Sequence, residues 1–432
     1  MIRLRPRAWR PRTWVLVLAA VFAVLQLANV TGRDTPDTKN YLSYALSLRG
    51  DSKREAAAAT IDYVCAGRAS LAHRAQNVHV VRFHRPDPAP QVREKCGADE
   101  WRVVERRLKA GQTGGHTVPY MPERFMRIFE ARPGYPVFLL PFVSVFGVVW
   151  GVWTASVVIA VAGGVLVFLV LRSLRVPLAL CLTGQGLYYV LPVGTTAMRP
   201  MTEGLMLALT LTAVWGCALV LGGRRTRAGL TLIGGSLAAL FTVKHSQALF
   251  LGVCLAAAGT LIAVRRWRRG QPPGPGVLAV AATGLAATVL TVLLAKLLGY
   301  PSTADSVQDL LTHHFARPDR ADPWPEFFQL QGNFWMEWLR RQMWQPLFLA
   351  ALAAGAWGAA RRPAFGVFLA AAAFTGILTQ AGHPDINIWG ERLIVLAWLL
   401  PVVGVPLLLD AVLRRPVALP AQGHSERAHS MR

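Results

Sequence analysis

Pro136-Val137-Phe138-Leu139-Leu140-Pro141-Phe142-Val143-Ser144-Val145-Phe146-Gly147-Val148-Val149-Trp150 is one of eleven apolar runs in a chain of 432 residues, and whether it crosses a membrane decides the side on which every later segment lies. The other runs are 14–30, 152–171, 177–193, 204–221, 230–243, 248–264, 277–298, 346–359, 364–379 and 393–409. A helix needs about 20 apolar residues, with a lower limit near 17, to cross roughly 30 Å of hydrocarbon. The run 136–150 is shorter than that and starts and breaks at Pro136 and Pro141. The runs 230–243, 346–359 and 364–379 are short as well, so length alone settles nothing. Charge does. Arg and Lys in short loops mark the cytoplasmic side. The basic clusters stand at 3–12, 172–175, 224–227, 265–269, 361–362 and 414–415. If every run crosses, the cluster 172–175 falls outside and the later ones follow it or flip. If 136–150 stays on one side, all six land inside. The sequence therefore predicts about ten crossings, cytoplasmic termini, and an interfacial or re-entrant helix at 136–150.

Composition agrees. Hydrophobic residues make up 53% of the chain and charged residues 16%, which excludes a single soluble domain with a polar surface. The formal net charge of +23 would point to nucleic acid in a soluble protein. Here the basic residues cluster at the ends of apolar runs, and no basic helix or aromatic–basic module is present, so the bilayer is the expected partner and nucleic acid is not. The bias toward Arg, Ala, Gly, Pro and Val suits a high-GC bacterial genome, hence the bacterial cytoplasmic membrane as the expected location. The expected fold class is an all-α membrane protein, a polytopic helical bundle with interfacial helices in the first outer loop. Its parts are a basic cytoplasmic start 1–13, a first transmembrane helix 14–30 kept as an uncleaved anchor, and a large outer loop 31–151. A transmembrane bundle 152–299, a second outer loop 300–345, a further bundle 346–415 and a disordered cytoplasmic tail 416–432 complete it. Cys181, Cys217 and Cys254 lie in apolar runs and read as packing residues. Cys65 and Cys96 share the first outer loop, where an oxidising compartment permits a disulfide.

Chemistry is expected on the outer face, where the loop mass lies. Asp37 opens Asp37-Thr38-Lys39-Asn40-Tyr41 just after the first span, and Thr35 or Asp37 can cap the helix that follows. An acidic group at a membrane lip is a functional candidate by default. Asp37 is the expected general base. Asp34 is a second base, a divalent-metal ligand or a solvated loop residue; no other cofactor is called for. Arg132, before Pro136, stands at headgroup height, where a guanidinium grips phosphate or snorkels. Arg199 and Glu203 flank Pro200-Met201-Thr202, with Thr202 as the expected cap of the next helix. They pair with each other or meet substrate. Lys244 and His245 interrupt an apolar stretch near an outer helix end. His383 and Arg392 precede the last span, Arg392 beside Glu391. The second outer loop holds His313, His314, Asp319, Asp322 and Glu326 among many aromatics, which suit an interfacial belt or a sugar-stacking surface. No nucleotide-binding glycine loop, zinc-protease motif or serine-hydrolase elbow occurs.

The pattern resembles the membrane-embedded glycosyltransferases of the GT-C class, the group that includes the protein O-mannosyltransferases. The likeness rests on the acidic residue opening the first outer loop and the Tyr-Leu-x-x-Ala-x-x-Leu helix from Tyr41 to Leu48. It rests also on Arg132-Pro133-Gly134-Tyr135-Pro136 before a non-crossing helix ending in Phe146-Gly147. Arg199-Pro200-Met201-Thr202-Glu203-Gly204 stands where such enzymes often have Ser-Glu-Pro, and Glu391-Arg392-Leu393 where they often have Glu-Arg-Tyr. Gly204 and Leu393 are departures from that pattern. The resemblance implies transfer of a sugar from a polyprenyl-phosphate donor to a glycan, lipid or protein acceptor on the outer face. Asp37 would deprotonate the acceptor hydroxyl, and Arg132, Lys244 and Arg392 would stabilise the leaving phosphate. Two other readings compete: a transporter or flippase for a lipid-linked glycan, which calls for charges near mid-span, and a non-catalytic cell-envelope scaffold in which Asp37 is only a helix cap.

Overall fold

The computed structural model describes residues 11–223, 225–390 and 392–414. Most of the first basic cluster, Arg224, Glu391 and the tail expected at 416–432 lie outside the described residues. Those described form helices joined by turns, with no strand among them: α1 (Pro11–Gln26), α2 (Thr38–Arg49), α3 (Lys53–Asn77), α4 (Ala89–Lys109), α5 (Glu123–Glu130), α6 (Gly134–Ser173), α7 (Leu178–Val190), α8 (Pro192–Ala197), α9 (Thr202–Leu221), α10 (Thr226–Arg268), α11 (Pro275–Leu297), α12 (Thr303–Leu311), α13 (Pro323–Trp344), α14 (Leu347–Ala360), α15 (Pro363–Gly382) and α16 (Leu399–Leu413). By length and composition, seven segments among the described residues can cross a membrane: Pro11–Asn29, Gly134–Ser173, Thr202–Leu221, Thr226–Arg268, Pro275–Leu297, Pro363–Gly382 and Ile394–Leu413. Leu178–Val190 and Leu347–Ala360 are shorter apolar helices. The chain is a helical, multi-pass membrane protein.

Two of these segments fold back on themselves. A straight helix of 43 residues would run about 65 Å. Yet α10 begins beside Val220 and the chain is back there at the start of α11: a Cβ on Gly229 would stand 2.6 Å from Val220 Cγ2, and one on Gly276, in the first turn of α11, 3.2 Å from Val220 Cγ1. Arg266 near the C-terminus of α10 also donates to the Pro273 carbonyl at 2.9 Å. The reversal falls at Lys244, whose extended backbone (φ −162°, ψ 92°) separates two antiparallel arms. In α6 the reversal is at Gly147 (φ 70°, ψ 178°). A Cβ on Gly151 would meet Phe142 O and Val143 Cα, each at 2.6 Å, although nine residues along a straight helix cover about 13 Å. The run 136–150 is thus the first arm of α6, doubled back on the second arm at Gly147.

Gly147 sits in a region of backbone space open essentially to glycine alone, with nothing within 4 Å of a Cβ there. Gly147→Ala is therefore expected to cost about 1–3 kcal/mol through the backbone alone, seen as a lower melting temperature in detergent. An unchanged melting temperature would show that this turn relaxes freely.

The basic clusters after the first gather at one end of the bundle. Arg414 Nη2 donates to the Arg175 carbonyl at 3.3 Å. Asp410 meets Arg414 at 2.6 Å and Arg362 at 3.7 Å. Trp215 Nε1 donates to Ser173 Oγ at 2.9 Å, tying that end to the C-terminal half of α9 and so to Val220. Lys244, Glu203 and the start of α6 lie at the opposite end, because α9 and both arms of α10 run between the two.

At that opposite end, α2 to α5 form a helical cap. Ser52 and Glu55 close a capping box that starts α3, and Ala56, Ala57, Ile61 and Val64 face the core. Cys65 and Cys96 form a disulfide that joins α3 to α4. It closes a loop with a sequence separation of 31, for which chain entropy gives about 3–4 kcal/mol. Replacing both cysteines by Ser is expected to raise amide exchange in α3 and α4 selectively; uniform exchange across the chain would contradict a local staple.

The stretch 300–345 is mostly helix, α12 and α13, rather than loop. Its aromatics divide between two roles. Phe327, Phe334 and Trp338 are buried, whereas Trp324, Phe328 and Trp344 are exposed along α13 as a belt would require. The last apolar run begins as a tighter helical turn, Ile394–Trp398, before α16.

Candidate active site

The starts of four helical segments converge at the end opposite the basic clusters. Asp37 and Thr38 open α2, Arg132 precedes α6, Thr202 and Glu203 open α9, and Lys244 precedes the second arm of α10. Packing fixes this. Thr38 Oγ1 donates to the Pro200 carbonyl at 3.0 Å, and a Cβ on Gly134 would lie 2.5 Å from Thr242 Oγ1. Helix N-termini carry partial positive charge and unmet N–H groups, so their convergence favours an anion.

The side chains follow the backbone. Asp37 occupies the cap position of α2 but makes no capping hydrogen bond; Thr35 N donates instead to Thr38 Oγ1 at 2.8 Å. The Asp37 carboxylate accepts from Arg392 Nη2 across 355 residues of sequence. Arg392 Nε lies 3.6 Å from Glu203 Oε1, and Lys244 Nζ lies 3.8 Å from the same oxygen. Arg132 Nη1 donates to the Tyr41 hydroxyl at 3.2 Å. Burial pushes that hydroxyl above its ordinary range, with Arg132 acting against the shift. Glu203 is 2% exposed and Lys244 8%, and the Asp37–Arg392 pair is only slightly more open. Among the described residues, three cations thus face two carboxylates in a largely dry site. The Nε atoms of both Arg132 and Arg392 are buried without a hydrogen-bond partner. Buried N–H groups demand acceptors, and the excess of positive charge among the described side chains makes an anion the fitting one.

Five of the residues singled out in the sequence, Asp37, Arg132, Glu203, Lys244 and Arg392, therefore form one group. Arg199 joins Arg392 in lining an adjacent cavity of about 380 Å³ with Trp389, Trp398, Gln342 and Asn387. His383 stands on the other side of the 383–392 segment, in the wall of a second cavity. Asp34 is outside the group. It packs on α3, where a Cβ on Gly67 would come within 2.8 Å of its Oδ1, and burial raises its carboxyl above the usual range while its own backbone and Arg68 oppose. Among the described residues no set of three or more His, Cys, Asp or Glu side chains is placed to hold a metal ion, so Asp34 has no ligand companions there. Thr202 is not the cap of α9: Met201 holds that position, and Thr202 Oγ1 donates to Glu203 Oε2 at 3.1 Å.

Sequence reasoning missed Tyr41 and Thr38 as site residues. Tyr41 was one apolar position in a helical pattern, and only its spacing of four from Asp37, one helical turn, hints that it faces the same way. Comparison with protein-family models, curated proteins and solved structures finds no match to this chain.

Proposed function

We propose that this chain is an integral membrane glycosyltransferase of GT-C type, moving a sugar from a polyprenyl-phosphate donor to an acceptor on the outer face of a bacterial cytoplasmic membrane. The observation that carries the reading is the Asp37 carboxylate, freed from capping and held by Arg392 in a buried group with excess positive charge. A donor phosphate supplies the missing anion. Arg132, Lys244 and Arg392 neutralise it, and Arg199 borders the cavity beside it. Asp37 takes the proton of the acceptor hydroxyl; that oxygen forms a bond to the anomeric carbon. The bond from the anomeric carbon to the phosphate oxygen breaks with its electron pair, and polyprenyl phosphate leaves with added negative charge that the cations hold.

The topology proposed with it has about ten crossings, α6 contributing its second arm and α10 both arms, with both termini cytoplasmic. The collection of basic clusters at the end away from Asp37 supports it, as does the Cys65–Cys96 disulfide at the other end. A flippase reading gains nothing from the two lysines among the apolar runs. Lys244 lies at a helix reversal and Lys296 in the last turn of α11, neither near mid-span.

The test incubates purified full-length protein in nanodiscs with a panel of polyprenyl-phosphate sugars and scores sugar transfer or donor hydrolysis by mass spectrometry. Turnover of at least one donor is expected. Turnover of none, with substrate uptake into proteoliposomes or with a stably bound partner enzyme instead, rejects the reading.

A further inference from the structure

We propose that the cavity enclosed by α12, α13 and residues 383–386 is the acceptor subsite, and that it takes a neutral saccharide ring rather than a peptide or an anionic group. This rests on the transferase reading above and assigns its second substrate. The cavity measures about 480 Å³, within the range of about 300–1,000 Å³ typical of small-molecule sites. Its lining combines an aromatic face, Phe334, with Asn333, Glu337, His314, His383 and Asp385. That set offers amide and imidazole N–H donors and carboxylate acceptors, the mixture that a ring of hydroxyls needs. No lysine or arginine stands among its described lining residues, and of the two carboxylates that line it Glu337 is held by Arg341 at 3.1 Å, so a phosphate or uronate meets no cation of the lining itself.

Its wall is built at a cost. His313, His314 and Phe315 hold φ values of 55°, 60° and 58°, three consecutive left-handed residues, none of them glycine. Such strain persists only where neighbours impose it. Here His314 Nδ1 lies 3.1 Å from Asp309 Oδ1, Phe315 N donates to Thr312 Oγ1 at 3.1 Å, and Arg124 sits 4.3 Å over the Phe315 ring. The turn presents His313 and His314 to the cavity.

Position completes the argument. Residues 383–386 line this cavity, and 387–390 with Arg392 line the cation-bordered one, so a single segment divides the two. The segment ends at Arg392, which is bonded to Asp37. The bond to Asp309 raises the His314 imidazole above its usual range against the opposing effect of burial. The segment that lines both cavities is thus tied to the proposed proton acceptor, the coupling that a displacement between two substrates requires.

The test uses the full chain in nanodiscs and methyl glycosides (mannoside, glucoside, galactoside, arabinofuranoside) as probes, followed by saturation-transfer NMR, which needs no turnover. At least one glycoside is expected to bind. Asn333→Ala and Glu337→Gln should each weaken it by about tenfold, the worth of one lost hydrogen bond, and Asp34→Asn, outside the charged group, should not. Thermal melts confirm that the two cavity variants fold. Binding of none, binding unaffected by both cavity variants, or preference for a peptide or sugar phosphate overturns the assignment. The donor panel separates the two claims. Donor turnover without glycoside binding removes the subsite and keeps the transferase; glycoside binding lost in the cavity variants, without donor turnover, removes the transferase and keeps a saccharide site.

Discussion

If the chain is the proposed transferase, Asp37→Asn is expected to lower sugar transfer by about 10²–10⁴-fold, the usual contribution of a positioned general base, while the protein still inserts and purifies. The substitution keeps the shape and an acceptor oxygen for Arg392 Nη2 but removes the proton acceptor. Its structural cost is bounded by the surroundings. Glu203 still lies 3.6 Å from Arg392 Nε, so the guanidinium keeps one carboxylate. Because the Asp37 side chain makes no capping hydrogen bond to α2, the helix start does not depend on its carboxylate. The measurement is kcat on the best donor in the panel, paired with a melt. Loss of kcat with a melting temperature near that of the unaltered chain supports the base; full activity rejects it; loss of both in proportion assigns Asp37 to the fold. Asp34→Asn is the internal comparison. Asp34 packs against Gly67, outside the charged group, and its replacement should leave kcat within about tenfold.

Much of the site was legible because membrane physics restricts where charge can go. Asp37, Arg132, Glu203, Lys244 and Arg392 stood out as ionisable residues at the borders of apolar runs, and such residues seldom sit there without a partner. Their assembly into one group was not legible. The Asp37–Arg392 bond joins residues 355 apart in sequence, and no local pattern encodes it. The run 136–150 was set apart as interfacial or re-entrant by the side on which the basic clusters fall, but the turning residue is Gly147, whose glycine-only conformation is indistinguishable in sequence from a packing glycine. The two runs 230–243 and 248–264 were read as separate helices, and the fold-back at Lys244 agrees. Capping was the weak point. Asp37 and Thr202 both look like caps, and neither side chain caps, because the ion group and Glu203 compete for the same oxygens. The cavity under α13 was hidden in an aromatic-rich stretch where core, belt and lining residues share one composition.

Arg392→Gln reduces kcat/KM by about 10²–10³-fold, the loss expected when one preorganised donor to a developing negative charge is removed. It also destabilises, and the two effects separate by design. Breaking a buried ion pair from one side costs about 3–5 kcal/mol. Arg392 and Asp37 retain 16% and 17% side-chain exposure, so the lower part of that range applies. Most of the penalty comes from Asp37 and Glu203 left facing each other with less positive charge between them. The double variant Asp37→Asn with Arg392→Gln removes one of those carboxylates, and should recover part of the stability while restoring no activity. Arg392→Lys should keep the charge and most of the stability but lose the fork that reaches Asp37 and Glu203 together, so activity remains depressed. If the double variant regained activity along with stability, Arg392 would be a strut for the 383–392 segment. If Arg392→Gln altered only the KM of the acceptor, the phosphate would have to lie elsewhere, against Arg132 and Lys244. The combination of recovered fold and absent chemistry is the outcome in which one guanidinium both holds the base in place and receives the charge of the leaving phosphate.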